Sequence, residues 1–157
     1  MNVTIRSAAG ADIPQLVVFM EESHAEAGFP LDRNWAGAAF AALLADDSRG
    51  AVWILFDQDE PAGYVVLTVR FSMEQGGLDS FVDDLFVRLA HRRRGLGLLA
   101  MHTVLDECRR RGAIALHVEV GRTNAAAQAL YAHHGLAVRS DDRQLLTVRV
   151  HPLPRED

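Results

Sequence analysis

The sequence contains no lysine, one cysteine and no long apolar run. All 16 basic residues among the 157 are arginine, which excludes a phosphate-binding P-loop because that motif requires lysine. The single cysteine, Cys108, excludes an internal disulfide, and its position on the apolar side of a predicted helix favours a core residue over a nucleophile. No run approaches the roughly 18 apolar residues that a membrane span needs. The N-terminus also lacks the basic start and apolar core of a signal peptide, so we expect a cytoplasmic protein.

The composition indicates one globular domain spanning residues 1–157. Apolar residues make up 49% of the chain, which argues against disorder, and the length is sufficient to bury a core. The net charge of −5 argues against a general nucleic-acid binder. No histidine pair has ligand spacing beside a third ligand, so we expect no metal site.

Two glycines, Gly95 and Gly97, lie between a predicted buried strand ending at Val87 and a helix that stops at Gly112. Glycine lets backbone N–H groups turn outward and approach a ligand closely. At a helix N-terminus these unpaired donors and the positive end of the dipole favour an anion. Three arginines precede the turn and add positive charge. The stretch therefore predicts a site for a phosphate or a diphosphate.

Two other interpretations of this turn remain open from the glycines alone. It could be a tight connection without a ligand, or part of a dinucleotide-binding fingerprint. The third position of that fingerprint would fall at Ala100, which it tolerates. However, the expected acidic residue about twenty positions later is missing, because 115–117 stands there.

Two motifs together resemble the GCN5-related N-acetyltransferases, the GNAT family. The first is Arg92-x-x-Gly95-x-Gly97 after a strand ending Asp-Leu-Phe-Val, which is similar to the acetyl-CoA motif of that family. The second is Asn124-x-x-Ala127-x-x-Leu130-Tyr131-x-x-x-Gly135-Leu136. The order and spacing of the two motifs match the family, and the resemblance extends from about residue 3 to 150.

The resemblance implies an acetyl-CoA site with a diphosphate-binding turn. It implies that the diphosphate binds the turn, that the pantetheine arm pairs like an extra strand with the preceding strand, and that coenzyme A leaves as product. The residues implied in cofactor binding are Leu85, Phe86, Val87, Arg92, Arg93, Arg94, Gly95, Leu96, Gly97, Leu98, Asn124, Ala127 and Tyr131. Tyr131 matches the tyrosine that acts as general acid on the leaving sulfur, and a phenol can perform this role.

The general base is less constrained by the sequence. An alkyl ammonium, like lysine, has a pKa of about 10, so a group or a water molecule must take its proton. Asp84 and Glu119 are the candidates, because the strands that carry them are expected to end beside the thioester. Asp83 adjoins Asp84, and paired carboxylates raise one pKa toward neutrality.

Alternating strand and helix patterns predict an α+β domain. We expect a single mixed, twisted sheet of about seven strands flanked by about four helices, which is also the order that the resemblance implies. The predicted strands are 3–6, 51–56, 62–71, 79–87, 114–120, 136–139 and 145–150. The predicted helices are 10–27, 33–45, the helix from the Gly95–Gly97 turn to 111, and one capped by Thr123 or Asn124 that ends near 134.

We expect an N-acetyltransferase that acts on a primary amine of a small molecule by direct attack. The predicted acceptor walls, 27–34 and 140–144, are acidic through Glu21, Glu22, Asp32, Asp141 and Asp142, which favours a cationic amine. A protein or peptide acetyltransferase with an open groove, or a non-catalytic acyl-CoA-binding module, would share the first motif. Members of the family often form dimers, so a homodimer fits the resemblance.

Overall fold

The structure is a computed structural model that describes residues 2–139 and 142–151. Within these ranges one sheet has five strands in the order β1-β2-β3-β4-β5. The first four strands pair antiparallel, and β4 pairs parallel to β5. The strands are β1 (Val3–Ser7), β2 (Gly50–Asp57), β3 (Glu60–Ser72), β4 (Gly77–Val87) and β5 (Ala115–His117).

Four α-helices flank the sheet in the described part of the chain. They are α1 (Ile13–Glu26), α2 (Arg33–Leu44), α3 (Leu96–Arg111) and α4 (Ala125–His133). A proline in the first turn of α1 and the Asp32 side chain, which accepts the Trp35 N–H at the N-terminus of α2, start these helices. The left-handed Gly112 ends α3. None of the described helices is both long and apolar enough to cross a membrane.

Each face of the sheet packs against its own helices. Leu16 and Phe19 of α1 and Phe40 of α2 bury one face with Tyr64 and Phe86. On the other face, residues of α3 and α4 form a second core, which includes Leu96, Met101, Val104, Cys108 and Tyr131. Cys108 is buried there as a small core residue, as the sequence predicts.

The prediction of about seven strands is wrong within the described residues. The strand predicted at 114–120 is only Ala115–His117, and 136–139 and 145–150 have no strand structure. Residues 140 and 141, in the predicted connection, lie outside the described residues. Alternating apolar residues make 145–150 resemble a strand, but Leu146 and Val148 are more than 80% exposed. Side-chain pattern alone does not create a strand without a hydrogen-bonding neighbour.

Candidate functional site

The N-terminus of α3 is open in the way an anion site requires. Gly95 precedes the helix in the left-handed conformation, with φ of 88°, which glycine adopts without steric cost. No side chain caps this end of the helix. The backbone N–H groups of Leu96, Gly97 and Leu98 therefore belong to a first turn without intrahelical acceptors. Together with the positive end of the helix dipole, these donors give this end of the helix the chemistry to attract an anion.

The three arginines before the turn have different partners. Arg92 donates through Nε to the Val87 carbonyl at 2.8 Å, and its Nη2 pairs with Glu26. Arg94 places Nη1 3.2 Å from the buried Asp57 carboxylate. Arg93, with a left-handed φ of 64°, has no ion pair or hydrogen bond from its side chain among the described residues. Of the three, Arg93 retains a guanidinium that can bind a phosphate without first breaking an ion pair.

Packing explains part of the glycine pattern. A Cβ atom on Gly97 would lie 3.0 Å from Cδ2 of Leu130, so the missing side chain lets α4 approach the first turn of α3. Leu96 is buried in the core, whereas Leu98 is partly exposed. These residues are available to a ligand through their backbone, not through a polar side chain.

The strands β4 and β5 separate after a short paired stretch. Phe81 and His117 are the last residues in register, and β4 then continues to Val87 without β5 beside it. We call the point just beyond the Phe81–His117 pair the fork. Leu85, Phe86 and Val87 lie on the unpaired part of β4, which leaves backbone groups of a strand edge facing the gap. The gap opens toward the N-terminus of α3, which follows β4 in the chain.

Tyr131 lies in α4 on the α3 side of the gap and is 8% exposed. Burial raises the pKa of its phenol, and the negative charge of Asp84 raises it further. The phenol therefore keeps its proton at neutral pH and can donate it.

Asp84 is a largely buried carboxylate that accepts a hydrogen bond from the Tyr64 hydroxyl. Burial is the main cause of its raised pKa. Tyr64 itself is fully buried, and burial together with Asp84 raises its pKa. The sequence analysis missed Tyr64. The sequence feature that could have revealed Tyr64 is a residue with a polar hydroxyl in a predicted strand, two positions away from core residues on the same face.

The remaining predicted site residues lie in α4 and just beyond β5. The Asn124 side chain accepts a hydrogen bond from the Ala127 N–H at 3.1 Å, so it caps α4. Ala127 packs against the core around Tyr131. Glu119 is exposed two residues beyond β5. Among the described residues no three His, Cys, Asp or Glu side chains are grouped to hold a metal ion.

The acidic walls predicted for an acceptor are partly neutralised. Glu21 binds Arg33, with 2.7 Å between Oε2 and Nε, and Glu22 binds Arg88 at 2.9 Å. Asp32 accepts the backbone N–H of Trp35. Asp142 lines a cleft beside His117, and Asp141 lies outside the described residues. Most of these carboxylates therefore bind the protein itself.

Comparisons with known proteins agree with this geometry. An integron cassette protein from the Cole Harbour salt marsh metagenome is 40% identical, with a TM-score of 0.83 over 94% of this chain and 91% of its own. A possible acetyltransferase from Clostridium difficile 630 is 20% identical, with a TM-score of 0.80 over 96% and 100%. A predicted acetyltransferase with acetyl-CoA from Clostridium acetobutylicum is 14% identical, with a TM-score of 0.77 over 93% and 96%.

The two proteins of lower identity show the shared fold. Comparison with curated proteins finds no match. The family model described as the acetyltransferase (GNAT) family matches residues 15–136, which include the α3 turn, the fork and Tyr131. This chain belongs to the acetyltransferase (GNAT) family.

Proposed function

We propose that the protein is an N-acetyltransferase that moves the acetyl group of acetyl-CoA to a primary amine of a small molecule. One observation carries the proposal: an uncapped helix N-terminus with left-handed Gly95 stands at the open end of the gap between separating strands. An anion bound at the turn fixes one end of a long ligand. The gap can then receive the other end against the free edge of β4.

The residues of this chain fit coenzyme A at the turn. The first-turn amides and Arg93 offer hydrogen-bond donors and positive charge to a diphosphate. Bound there, acetyl-CoA supplies an acetyl group activated as a thioester. Leu85 presents strand-edge backbone groups to its amide-containing arm, because the backbone groups of Phe86 face Tyr64 on β3. Arg92 already occupies the Val87 carbonyl, so we assign pairing with the arm to the part of β4 nearer the fork.

Tyr131 is the proposed general acid. Its raised pKa keeps the phenol protonated, and its position on the α3 side of the gap suits donation to the departing sulfur. A two-step mechanism would need a cysteine thiolate that takes the acetyl group first. Cys108 does not suit this role, because it is buried and burial raises the pKa of its thiol. Direct attack by the amine is the simpler route.

Asp84 and Glu119 are the acidic groups that we propose for accepting, through water, the first proton that the ammonium form of the amine loses as it enters. The raised pKa of Asp84 makes its carboxylate a stronger base than an exposed aspartate. Glu119 is exposed beside the gap and can act through water. The acceptor amine approaches from the face of the sheet that carries Asp84, opposite α3.

A screen of primary amines with acetyl-CoA tests the proposal. We expect thiol release that depends on the amine, together with a product whose mass is increased by one acetyl group. Peptides with free amino groups belong in the same screen, because preference for them would indicate a protein acetyltransferase. Binding of coenzyme A without transfer to any amine would indicate an acyl-CoA-binding module and would contradict the proposal.

A further inference from the structure

A second pair of polar residues lies directly at the fork. Asp79 of β4 is 1% exposed, and its Oδ1 accepts hydrogen bonds from His117 Nε2 at 2.6 Å and from the Ser80 N–H at 3.1 Å. Its Oδ2 lies 3.2 Å from Nη2 of Arg70. These donors fix the buried carboxylate in one orientation.

The hydrogen bond to Asp79 determines which nitrogen of His117 is available. Because the carboxylate accepts, Nε2 carries the proton, and Nδ1 of the neutral ring presents a lone pair. Nδ1 has no hydrogen-bond partner in the part of the chain that the structure describes. The side chain is 29% exposed and lines a cleft of about 560 Å³. A carboxylate that orients a histidine in this way also stabilises the imidazolium form.

The register of the strands places His117 on the side from which the amine would approach. His117 lies opposite Phe81, and Phe81 lies opposite Thr68 of β3, so the three share one face. Thr68 follows Tyr64 at an even spacing, which puts all of them on the face of Asp84. The rings of Phe81 and His117 are 5.0 Å apart between centroids. Thr68, Phe81 and His117 are only half-buried, so this end of the face is partly open.

Resting on the proposed function, we infer that His117 is the general base that takes the proton of the acceptor amine, and that Asp79 is its positioning residue. Phe81 and Asp84 lie opposite Thr68 and Val66 of β3, so they are two β3 residues, or about 7 Å, apart along the sheet. A general acid must reach the sulfur and a general base the attacking nitrogen, each at hydrogen-bond distance. Tyr131 packs on the α3 face of the sheet and His117 lies on the opposite face, so the two can reach a thioester in the gap from its two sides.

The transfer balances with these two groups. The ammonium loses one proton to solvent on entering, and as the neutral nitrogen bonds to the acyl carbon, its next proton passes to Nδ1 of His117. The carbon–sulfur bond breaks, its electron pair stays on sulfur, and Tyr131 donates the proton that gives the free thiol. His117 then releases its proton to the cleft, and Tyr131 regains one from solvent.

Charged groups from several elements lie around His117. Asp79 is hydrogen-bonded to His117, Arg70 binds the other oxygen of Asp79, and the exposed Glu119 follows His117 by two residues in the chain. The cleft adds charged groups of both signs. Two of them, Glu74 and Arg139, form an ion pair with 2.9 Å between Oε1 and Nη2. The charged residues that line the cleft are Glu74, Arg139, Asp142 and Arg143.

The test compares His117→Gln with wild type across pH, using an amine found in the screen. Glutamine preserves size and a polar tip but cannot accept a proton near neutral pH. We expect kcat to fall about 100-fold, as for loss of a general base, with the KM for acetyl-CoA unchanged. The acidic limb of the kcat/KM profile should disappear. Asp79→Asn should shift that limb, because an amide neither fixes the tautomer nor stabilises the imidazolium form.

His133→Gln is the matched control, since His133 is an exposed histidine at the end of α4. It should retain the wild-type rate and pH profile. A His117→Gln variant with the wild-type kcat and acidic limb would overturn the inference. So would a variant that loses acetyl-CoA binding in proportion to activity, because the side chain would then be structural. A wild-type protein that acetylates no amine would overturn the proposed function and the inference with it.

Discussion

The Tyr64 hydroxyl on β3 donates a hydrogen bond to the carboxylate of Asp84 on β4, within the face that α1 and α2 cover. The pair lies beside a register shift between Val66 and Leu67, where β4 has one extra residue, Asp83. Such a bulge re-aims the neighbouring side chain. The bulge places the Asp84 carboxylate in the wall of the gap, where burial removes most of the water around that carboxylate.

This burial predicts that Asp84 reduces stability at neutral pH. Burial raises the folded-state pKa of Asp84 above its ordinary value of about 3.9. A group of this kind favours folding below its unfolded pKa, and that contribution is lost as pH rises through the folded pKa. Asp84→Asn should therefore raise Tm at pH 7, and the gain should shrink toward pH 4. Thermal unfolding of both proteins at the two pH values measures it.

Asp106→Asn supplies the control, because Asp106 is exposed on α3. Its Tm should stay close to that of wild type at both pH values. An Asp84→Asn variant that is less stable than wild type at pH 7 would contradict the burial argument.

Removing the partner hydroxyl should have the opposite effect on stability. Tyr64→Phe leaves a buried carboxylate without its phenol donor, which costs about 1–3 kcal/mol in the free energy of unfolding. The cost should be smaller in the background of Asp84→Asn, where the remaining group is neutral. A double-mutant cycle in urea measures this coupling. Equal effects of Tyr64→Phe in both backgrounds would mean that the hydrogen bond contributes nothing.

Replacement of Tyr131 should separate chemistry from binding. Tyr131→Phe keeps the ring that packs in the core and removes the proton donated to sulfur, so kcat should fall about 100-fold. The Kd of coenzyme A, measured by calorimetry, should stay near the wild-type value. An unchanged kcat would remove the role assigned to the phenol.

The three arginines before α3 should respond differently to substitution. Arg93 has no side-chain partner among the described residues, so Arg93→Gln should leave Tm unchanged and weaken coenzyme A binding about tenfold. Arg92 holds Glu26 and the Val87 carbonyl, so Arg92→Gln should lower Tm as well. Calorimetry and thermal unfolding on the same samples distinguish the two. Equal losses of affinity and stability in both variants would contradict the assignment.

Gly95 should be the costlier of the two glycines to replace. Its φ of 88° makes Gly95→Ala adopt a left-handed conformation, at about 1–2 kcal/mol of unfolding free energy. Gly97 is helical, and its added Cβ would meet only the end of the Leu130 side chain at 3.0 Å. Urea unfolding should rank Gly95→Ala below Gly97→Ala in stability. The reverse order would show that packing against α4 is the stronger constraint.

Local chemistry in the sequence is sufficient to predict most of the fold. Proline at the start of α1, Asp32 and Asn124 as caps, and Gly112 as a stop act within one turn of the residues that they organise. The helix and strand periods therefore locate these elements within a few residues. The part after Leu136 fails because a strand also needs a neighbour, and apolar alternation at 145–150 does not specify one.

The candidate site, like the fold, can be predicted from the sequence only where neighbouring residues determine it. The turn at Gly95 follows from residues adjacent in sequence, and the structure has the predicted open helix end. The acidic partners of Arg92 and Arg94 come from α1 and β2, more than thirty residues away, so the sequence does not reveal which arginine stays without an ion pair. Tyr64 and Asp79 also depend on register between strands. Long-range pairing of this kind is set by tertiary packing.

A crystal structure with coenzyme A tests the central claim most directly. We predict that the diphosphate contacts the backbone N–H groups of 95–98 and that the arm runs along β4 toward the fork. The sulfur should then lie within about 3 Å of the Tyr131 hydroxyl oxygen, a hydrogen-bond distance for proton donation. Coenzyme A bound elsewhere, or bound at the turn with its sulfur outside the gap between β4 and β5, would contradict the account.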